Sequence, residues 1–192
     1  SAGSGKSVLV RQWSLSRPGS RVASLALTRR HTDIGVLVRD LVASVRSVVP
    51  WLDPRLATLA ATGRATLGPA LIEALVEGLE QAPQDCVLVL EDVHILSGHP
   101  VVEDLGEIFT RLPPSTRGVV TMRRNVSWPL HRLRLDDRLV ELRGADLAFG
   151  QSDARALLDN VSHRSLTDEQ VAVLLDRTDG WAAGLQLAAI SL

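Results

Sequence analysis

The chain has 192 residues, 45% of them hydrophobic and 22% charged, which is the composition of a globular protein with a sizeable core. Its formal net charge is -1 and its basic residues are scattered, so we expect no DNA-binding surface on this segment. A single cysteine excludes an intrachain disulfide and a thiolate metal cluster, and no apolar run is long enough to span a membrane. We therefore expect a cytoplasmic protein without membrane contact, in which Cys86 is buried and unreactive.

Short β-branched runs alternate with longer amphipathic stretches, a pattern that predicts an α/β fold with a parallel sheet and crossover helices. In chain order, the predicted helices cover residues 5–15, 34–49, 51–63, 67–81 and 101–112. The predicted strands cover residues 21–27, 86–90, 118–122 and 138–143. The strand at 86–90, CVLVL, is apolar on both faces, which is typical of a central parallel strand. Gly63 is expected to close the short third helix.

The sequence changes character at Asp146. Three helical patterns follow, over residues 151–160, 167–178 and 180–192. We expect a domain boundary between residues 144 and 151, which separates a core of residues 1–145 from a helical arm of residues 146–192. The chain begins within a motif and ends in an apolar helical stretch, so we expect the core to lack its first strand and the arm to be incomplete.

Capping residues mark the predicted ends of the arm's helices. Ser152 and Thr167 are expected to cap the first two of these helices, because their hydroxyls can accept from backbone N–H groups of the first turn. Residues 179–180, Asp-Gly, are expected to break the chain before the last helix.

The stretch GSGKS at residues 3–7 predicts a phosphate-binding loop. Its glycines let backbone N–H groups converge on an oxyanion, and the following helix adds its positive end. Lys6 is the only lysine of the chain, and a compact ammonium on a flexible stem suits the outer phosphates better than a planar guanidinium does. Gly5, Lys6 and Ser7 match the last three positions of G-x-x-x-x-G-K-[ST], in which the hydroxyl binds Mg²⁺. The predicted nucleotide-binding residues of this loop are Gly3, Ser4, Gly5, Lys6, Ser7 and Val8. The alternative is a glycine-rich turn that caps a helix.

Two carboxylates, Glu91 and Asp92, follow the apolar strand at residues 86–90. Ligands bind at the carboxyl ends of the strands in open parallel sheets. We therefore predict that Glu91 holds Mg²⁺ and that Asp92 orients or deprotonates the attacking water. A solvated acidic turn is the alternative. His94 could contact phosphate or act as a switch, or simply pack in the loop.

Arginines end the next predicted strand, in GVVTMRRN. Arg123 comes first after the strand and is the predicted catalytic contact to the terminal phosphate. Arg134 is a candidate for a second nucleotide contact, although a surface ion pair with Asp136 or Asp137 is an equally simple interpretation.

The order of GSGKS, VLVLEDVH, VVTMRR, LRLDDRLVELRGADLAF and DGWAAGLQLA resembles the ATPase module of the STAND signalling class. It is most similar to the large ATP-binding LuxR-type, MalT-like, transcriptional regulators, and the resemblance covers essentially the whole chain. It implies a P-loop NTPase core, a helical arm, superhelical repeats and a C-terminal helix-turn-helix for DNA, which would lie outside this sequence. It also implies that ADP holds a resting monomer, that ATP permits self-association, and that hydrolysis resets the switch.

The resemblance assigns Gly5, Lys6 and Ser7 to the phosphate loop, Glu91 and Asp92 to the acidic pair, Arg123 to the strand end, and Gly180, Trp181 and Gly184 to the arm motif. The chain departs from the family in two places. Its acidic pair is Glu-Asp where Asp-Asp is common, and TRRHTDIG at residues 28–35 lacks the usual acidic pattern.

Three functions are compatible with these motifs. The first is a slow regulatory ATPase switch in a bacterial transcription regulator. The second is a module that binds nucleotide without hydrolysing it and acts through nucleotide-dependent self-association. The third, a metabolic phosphotransferase, is less favoured because no predicted lid carries clustered basic residues.

Overall fold

The computed structural model describes residues 3–63, 65–82, 85–161 and 166–191. The chain forms two compact units. We call Val10–Leu139 the sheet unit, and Ser1–Leu9 together with Val140–Leu192 the helical unit. The predicted domain boundary near residue 145 stays a prediction. No described helix has both the length and the apolar character needed to cross a bilayer.

The sheet unit is built on three parallel strands, β1 (Arg21–Ala26), β2 (Cys86–Glu91) and β3 (Thr116–Val120), in the order β1-β2-β3. Arg21 pairs with Cys86, and Cys86 pairs with Thr116. The first five residues of β2 are buried, which confirms the predicted central strand. The strand predicted at 118–122 begins and ends two residues earlier than expected.

Cys86 opens β2 and is buried, as predicted. Burial raises the pKa of its thiol, and the carboxylate of Asp85 acts in the same direction, against the charge of Arg21. The thiol therefore stays protonated at neutral pH, where only the thiolate would be an effective nucleophile.

Helix α1 (Lys6–Leu15) begins in the helical unit and ends in the sheet unit. The sheet unit also contains the helices α2 (Ile34–Val48), α3 (Pro54–Ala61), α4 (Pro69–Glu80), α5 (Val101–Thr110) and α6 (His131–Leu135). Asp33 caps α2 by accepting from the Val36 N–H, and Asp53 caps α3 in the same way. After α3, Gly63 adopts a φ of 67°, which confirms its predicted role in ending that helix.

The core of the sheet unit forms where the apolar faces of α2, α4 and α5 meet the sheet. Each helix has an amphipathic pattern that leaves one apolar stripe to be covered. The side chains of Leu37, Ile72 and Leu105 have no exposed surface. This core fixes the carboxyl ends of the three strands, where the predicted acidic residues lie.

The strand predicted at residues 138–143 is wrong. This segment belongs to no helix or strand, and Val140 and Leu142 are 84% and 59% exposed. Its apolar residues Leu139, Val140 and Leu142 suit a strand, but a local run of apolar residues does not provide a neighbouring strand with which to pair.

The helical unit contains α7 (Gln151–Val161), α8 (Asp168–Thr178) and α9 (Ala182–Ile190). Their shared apolar core is small and consists of Ala154, Leu158, Val171, Leu185 and Ala189. The predicted cap at Thr167 is confirmed, since its hydroxyl accepts from the Gln170 N–H. The cap at Ser152 is wrong, because α7 already begins at Gln151.

The break before α9 is confirmed. Asp179 and Gly180 both adopt positive φ angles, 48° and 66°, which end α8. A side chain at Gly180 would lie 2.7 Å from the Phe149 carbonyl oxygen, so both the conformation and the space require glycine.

Candidate functional site

The predicted phosphate loop is a tight turn that leads into α1. Gly3 and Gly5 adopt positive φ angles of 68° and 81°, and α1 begins at Lys6. The Lys6 Nζ donates to the Ser4 Oγ over 2.9 Å, so the lysine side chain folds back over the loop. Ser4 is buried. An ammonium held over a glycine turn at the start of a helix is an arrangement that fits a phosphate group.

Gly3 contacts the first turn of α9 within the helical unit. The Ala183 N–H donates to the Gly3 carbonyl over 3.2 Å. A Cβ at Gly3 would lie 2.5 Å from the Ala183 Cβ, so this contact excludes any larger residue. The sequence did not predict this contact or a role for Ala183. Gly3 and Ala183 nevertheless both lie within motifs that the resemblance identified.

Ser7 and Val8 lie in the first turn of α1, and both side chains are exposed. Ser7 is the predicted Mg²⁺ ligand. Its coordination stays a prediction.

The acidic strand end has a distinctive backbone. β2 ends at Glu91, and Asp92 then adopts the left-handed conformation, with φ 59° and ψ 38°. It begins a short 3-10 helix, Val93–Leu96. This turn directs the chain away from the sheet at its carboxyl edge.

A histidine and an arginine lie near the Asp92 carboxylate. Its Oδ1 lies 3.6 Å from the His94 Nδ1 and 3.8 Å from the Arg123 Nε, both beyond hydrogen-bond reach. The structure thus brings together Asp92 and Arg123, the predicted water-handling and phosphate-contacting residues. Among the described residues, the buried His94 Nδ1 has no hydrogen-bond partner.

Glu91 occupies the last position of β2 and is half-buried. Its carbonyl accepts from the Leu27 N–H over 2.9 Å, which ties this edge to the end of β1. Within the described ranges, no group of three or more His, Cys, Asp or Glu residues could hold a metal. Mg²⁺ commonly takes one or two protein ligands and completes its shell with phosphate oxygens and water, which is the arrangement predicted for Ser7 and Glu91.

Arg134 lies in α6 and is exposed. Both of its interpretations, a nucleotide contact and a surface ion pair, remain open, and the nucleotide contact stays a prediction.

Thr121 is a residue of this site that the sequence did not single out. It follows β3 and is only 6% exposed. Its Oγ1 accepts from the Asp92 N–H over 3.0 Å. The available signal was a single polar residue within the apolar run GVVTM.

The stretch TRRHTDIG forms a compact polar cluster after β1. His31 is fully buried, and its Nδ1 accepts from the Thr28 N–H over 2.8 Å. Its Nε2 therefore carries the proton and faces the Asp40 Oδ2 at 3.3 Å.

Arginines complete this cluster. Arg30 and Arg39 contact Asp40 at 2.7 and 2.9 Å. Burial raises the pKa of the Asp40 carboxyl. Hydrogen bonds from Arg39 and His31, together with the charges of Arg39 and Arg30, outweigh burial and leave this pKa below its ordinary value.

Comparisons with known proteins extend along the entire chain. It is similar to serine/threonine-protein kinase PknK from Mycobacterium tuberculosis and from Mycobacterium bovis. Each is 31% identical over 193 residues, which cover 100% of this chain. The chain spans only 17% of the length of these curated relatives. No protein-family model matches the chain.

Proposed function

We propose that this chain is the nucleotide-dependent switch module of a larger bacterial regulator of the STAND class, of the LuxR type. In this proposal it binds Mg-ATP and ADP and hydrolyses ATP slowly. ADP holds the resting state, and ATP permits self-association of the parent protein. DNA would be bound only by a C-terminal helix-turn-helix outside this sequence.

The observation that carries the proposal is the loop at residues 3–7. Two glycines with positive φ precede a helix whose first residue, Lys6, folds back onto Ser4. A loop that only capped a helix would need neither the sole lysine of the chain nor this folded conformation. The proximity of Asp92 and Arg123 at the carboxyl edge of the sheet supports the hydrolytic part.

The proposed mechanism divides the work among these residues. The loop amides and Lys6 bind the phosphates. When bound, Mg²⁺ would neutralise phosphate charge, with Ser7 and Glu91 as its protein ligands. Asp92 would orient a water and take its proton as the water oxygen bonds to the terminal phosphorus and the bond to ADP breaks. Arg123 would stabilise the negative charge on the transferred group.

The kinase activity in the relatives' name is not proposed for this chain. Protein kinases use an H-R-D catalytic loop and a D-F-G motif, and this sequence has neither. Its phosphate loop also differs from the glycine-rich loop of kinases. The similarity supports a module within a larger protein and does not extend to phosphorylation of proteins.

A second candidate function is nucleotide binding without hydrolysis. The proximity of Asp92 to Arg123 favours it, because a carboxylate that lies beside a guanidinium is less available to a water. Such a module would bind Mg-ATP without forming ADP.

Calorimetric titration of Mg-ATP and Mg-ADP into the full-length protein tests the proposal. We expect Lys6→Ala to weaken binding about tenfold or more, since it removes a charge-assisted contact to phosphate. Lys6→Arg should also weaken binding, because its planar group does not fit the loop.

The matched control is Arg177→Ala, which removes one positive charge from the exposed surface of α8. This variant should bind as the wild type does. Equal binding by the wild type and Lys6→Ala would contradict the proposal. Binding without product formation in the wild type would favour the second candidate.

A further inference from the structure

The catalytic candidate Asp92 depends on a backbone conformation that needs support. Its φ of 59° lies in the left-handed region, which residues with a side chain rarely occupy. Such a conformation persists when surrounding contacts determine it, and it often occurs at functional sites. The backbone conformation of Asp92 sets the direction of its carboxylate. Contacts that stabilise this conformation therefore also orient the carboxylate.

Thr121 makes three hydrogen bonds to the turn. Its N–H donates to the Leu90 carbonyl over 2.9 Å, and its carbonyl accepts from the Val93 N–H over 3.1 Å. Its hydroxyl accepts from the Asp92 N–H over 3.0 Å. The first two bonds use only backbone atoms and would survive a change of side chain. The third depends on the hydroxyl.

We infer that Thr121 is a positioning residue of the proposed hydrolytic site. Its hydroxyl satisfies the Asp92 N–H and thereby fixes the turn that directs the carboxylate toward water. This inference rests on the proposed ATPase function. Thr121 acts through the Asp92 backbone, and Asp92 remains the group that would touch the water.

The identity of the side chain matters here. Valine has the shape of threonine but no acceptor, so Thr121→Val leaves the Asp92 N–H without its partner in an unchanged space. Serine retains the acceptor and loses only a methyl group. A comparison of the two variants therefore separates the hydrogen bond from packing.

Thr116, the first residue of β3, provides a matched control. Thr116 is 7% exposed, similar to Thr121. Its buried Oγ1 has no hydrogen-bond partner among the described residues. Thr116→Val thus makes the same chemical change at another buried threonine without removing a contact to the turn.

The experiment combines two measurements on the full-length protein. Steady-state kinetics give kcat and KM for Mg-ATP hydrolysis, with the ADP-binding stoichiometry as a measure of the folded fraction. Hydrogen exchange monitored by mass spectrometry reports the protection of the Asp92 amide and does not require activity.

We expect Thr121→Val to lower kcat roughly ten- to a hundredfold with KM and ADP stoichiometry unchanged, because a catalytic group displaced by about 1 Å can cost about 100-fold. Exchange at the Asp92 amide should become faster. Thr121→Ser and Thr116→Val should match the wild type in both measurements. Should Thr121→Val not fold, Thr121→Ala also removes the acceptor and carries the same expectation.

Wild-type kcat and wild-type exchange in a folded Thr121→Val protein would overturn the inference. An equal loss of activity in Thr116→Val would also overturn it, since packing would then be the cause. A wild-type protein that binds ATP without hydrolysing it would overturn the ATPase function. Even then, faster exchange of the Asp92 amide in Thr121→Val alone would support the part of the inference in which the Thr121 hydroxyl stabilises the turn.

Discussion

Asp40 shows how one residue joins the end of a strand to the helix that follows. It accepts from Arg30 and Arg39, and it faces the buried His31. His31 uses its other ring nitrogen to accept from the Thr28 N–H, so this carboxylate contacts two residues of the loop after β1, Arg30 and His31, and is linked through His31 to Thr28. Ionised Asp40 therefore stabilises the loop.

The pKa of Asp40 predicts a pH-dependent contribution to stability. A carboxyl whose pKa is lowered by folding stabilises the protein above its unfolded pKa, which has a model-compound value of 3.8. The contribution is lost as the pH falls below that value through the folded pKa. Asp40→Asn should thus lower the free energy of unfolding at neutral pH, and its difference from the wild type should shrink as the pH falls below 3.8.

Chemical denaturation across this pH range checks the prediction, with the exposed Asp136→Asn as control. A difference between Asp40→Asn and the wild type that stayed constant with pH would contradict it. In the sequence, TRRHTDIG is notable only because it lacks the acidic pattern that is usual in the family. It could not predict this cluster, because Asp40 and His31 meet only once α2 folds back against the end of β1.

At the scale of elements, α2 depends on a close approach between two glycines. Gly35 lies in the first turn of α2, where a Cβ would be 2.3 Å from the Gly63 carbonyl oxygen. That neighbour is backbone and cannot rotate away. The turn after α3 therefore packs directly onto the start of α2.

We predict that Gly35→Ala destabilises the protein by about 1–3 kcal/mol, the usual cost of overpacking. This direction opposes helix propensity, which alone would favour alanine by about 1 kcal/mol. Denaturant titration measures the change. Gly144→Ala is the matched control, because a Cβ there meets nothing within 4 Å and its φ is -55°. If Gly35→Ala stabilised the protein, the gain in helix propensity would outweigh the cost of overpacking, and the prediction would be wrong.

The elements differ in how well sequence predicts them. The apolar run at β2 predicted a central strand because only burial on both faces accommodates CVLVL. The segment at 138–143 contains three apolar residues but belongs to no strand, because a local pattern does not determine whether a strand finds a partner with which to pair. The meeting of Asp92 and Arg123 could be predicted, because parallel strands bring their carboxyl ends to one edge. The role of Thr121 required the hydrogen bond itself.

At the scale of the whole molecule, the proposed switch would be reset by hydrolysis, and the rate of hydrolysis would set how long the ATP state lasts. Asp92→Asn isolates that rate. Asparagine has nearly the same shape as aspartate and tolerates the left-handed conformation, so the turn should persist. The carboxylate that would take the proton from water is lost. We predict that ATP hydrolysis by the full-length protein falls by about 10²–10⁴-fold.

Binding of Mg-ADP should remain within about threefold of the wild type, since the proposed phosphate-binding loop is unchanged. The parent protein would then accumulate in its ATP state and self-associate for longer, which sedimentation after a single addition of ATP can follow. Asp137→Asn is the matched control, because Asp137 also has a positive φ, 55°, and is exposed. If both variants hydrolyse ATP like the wild type, Asp92 is not the residue that takes the proton, and the duration of the ATP state is set elsewhere.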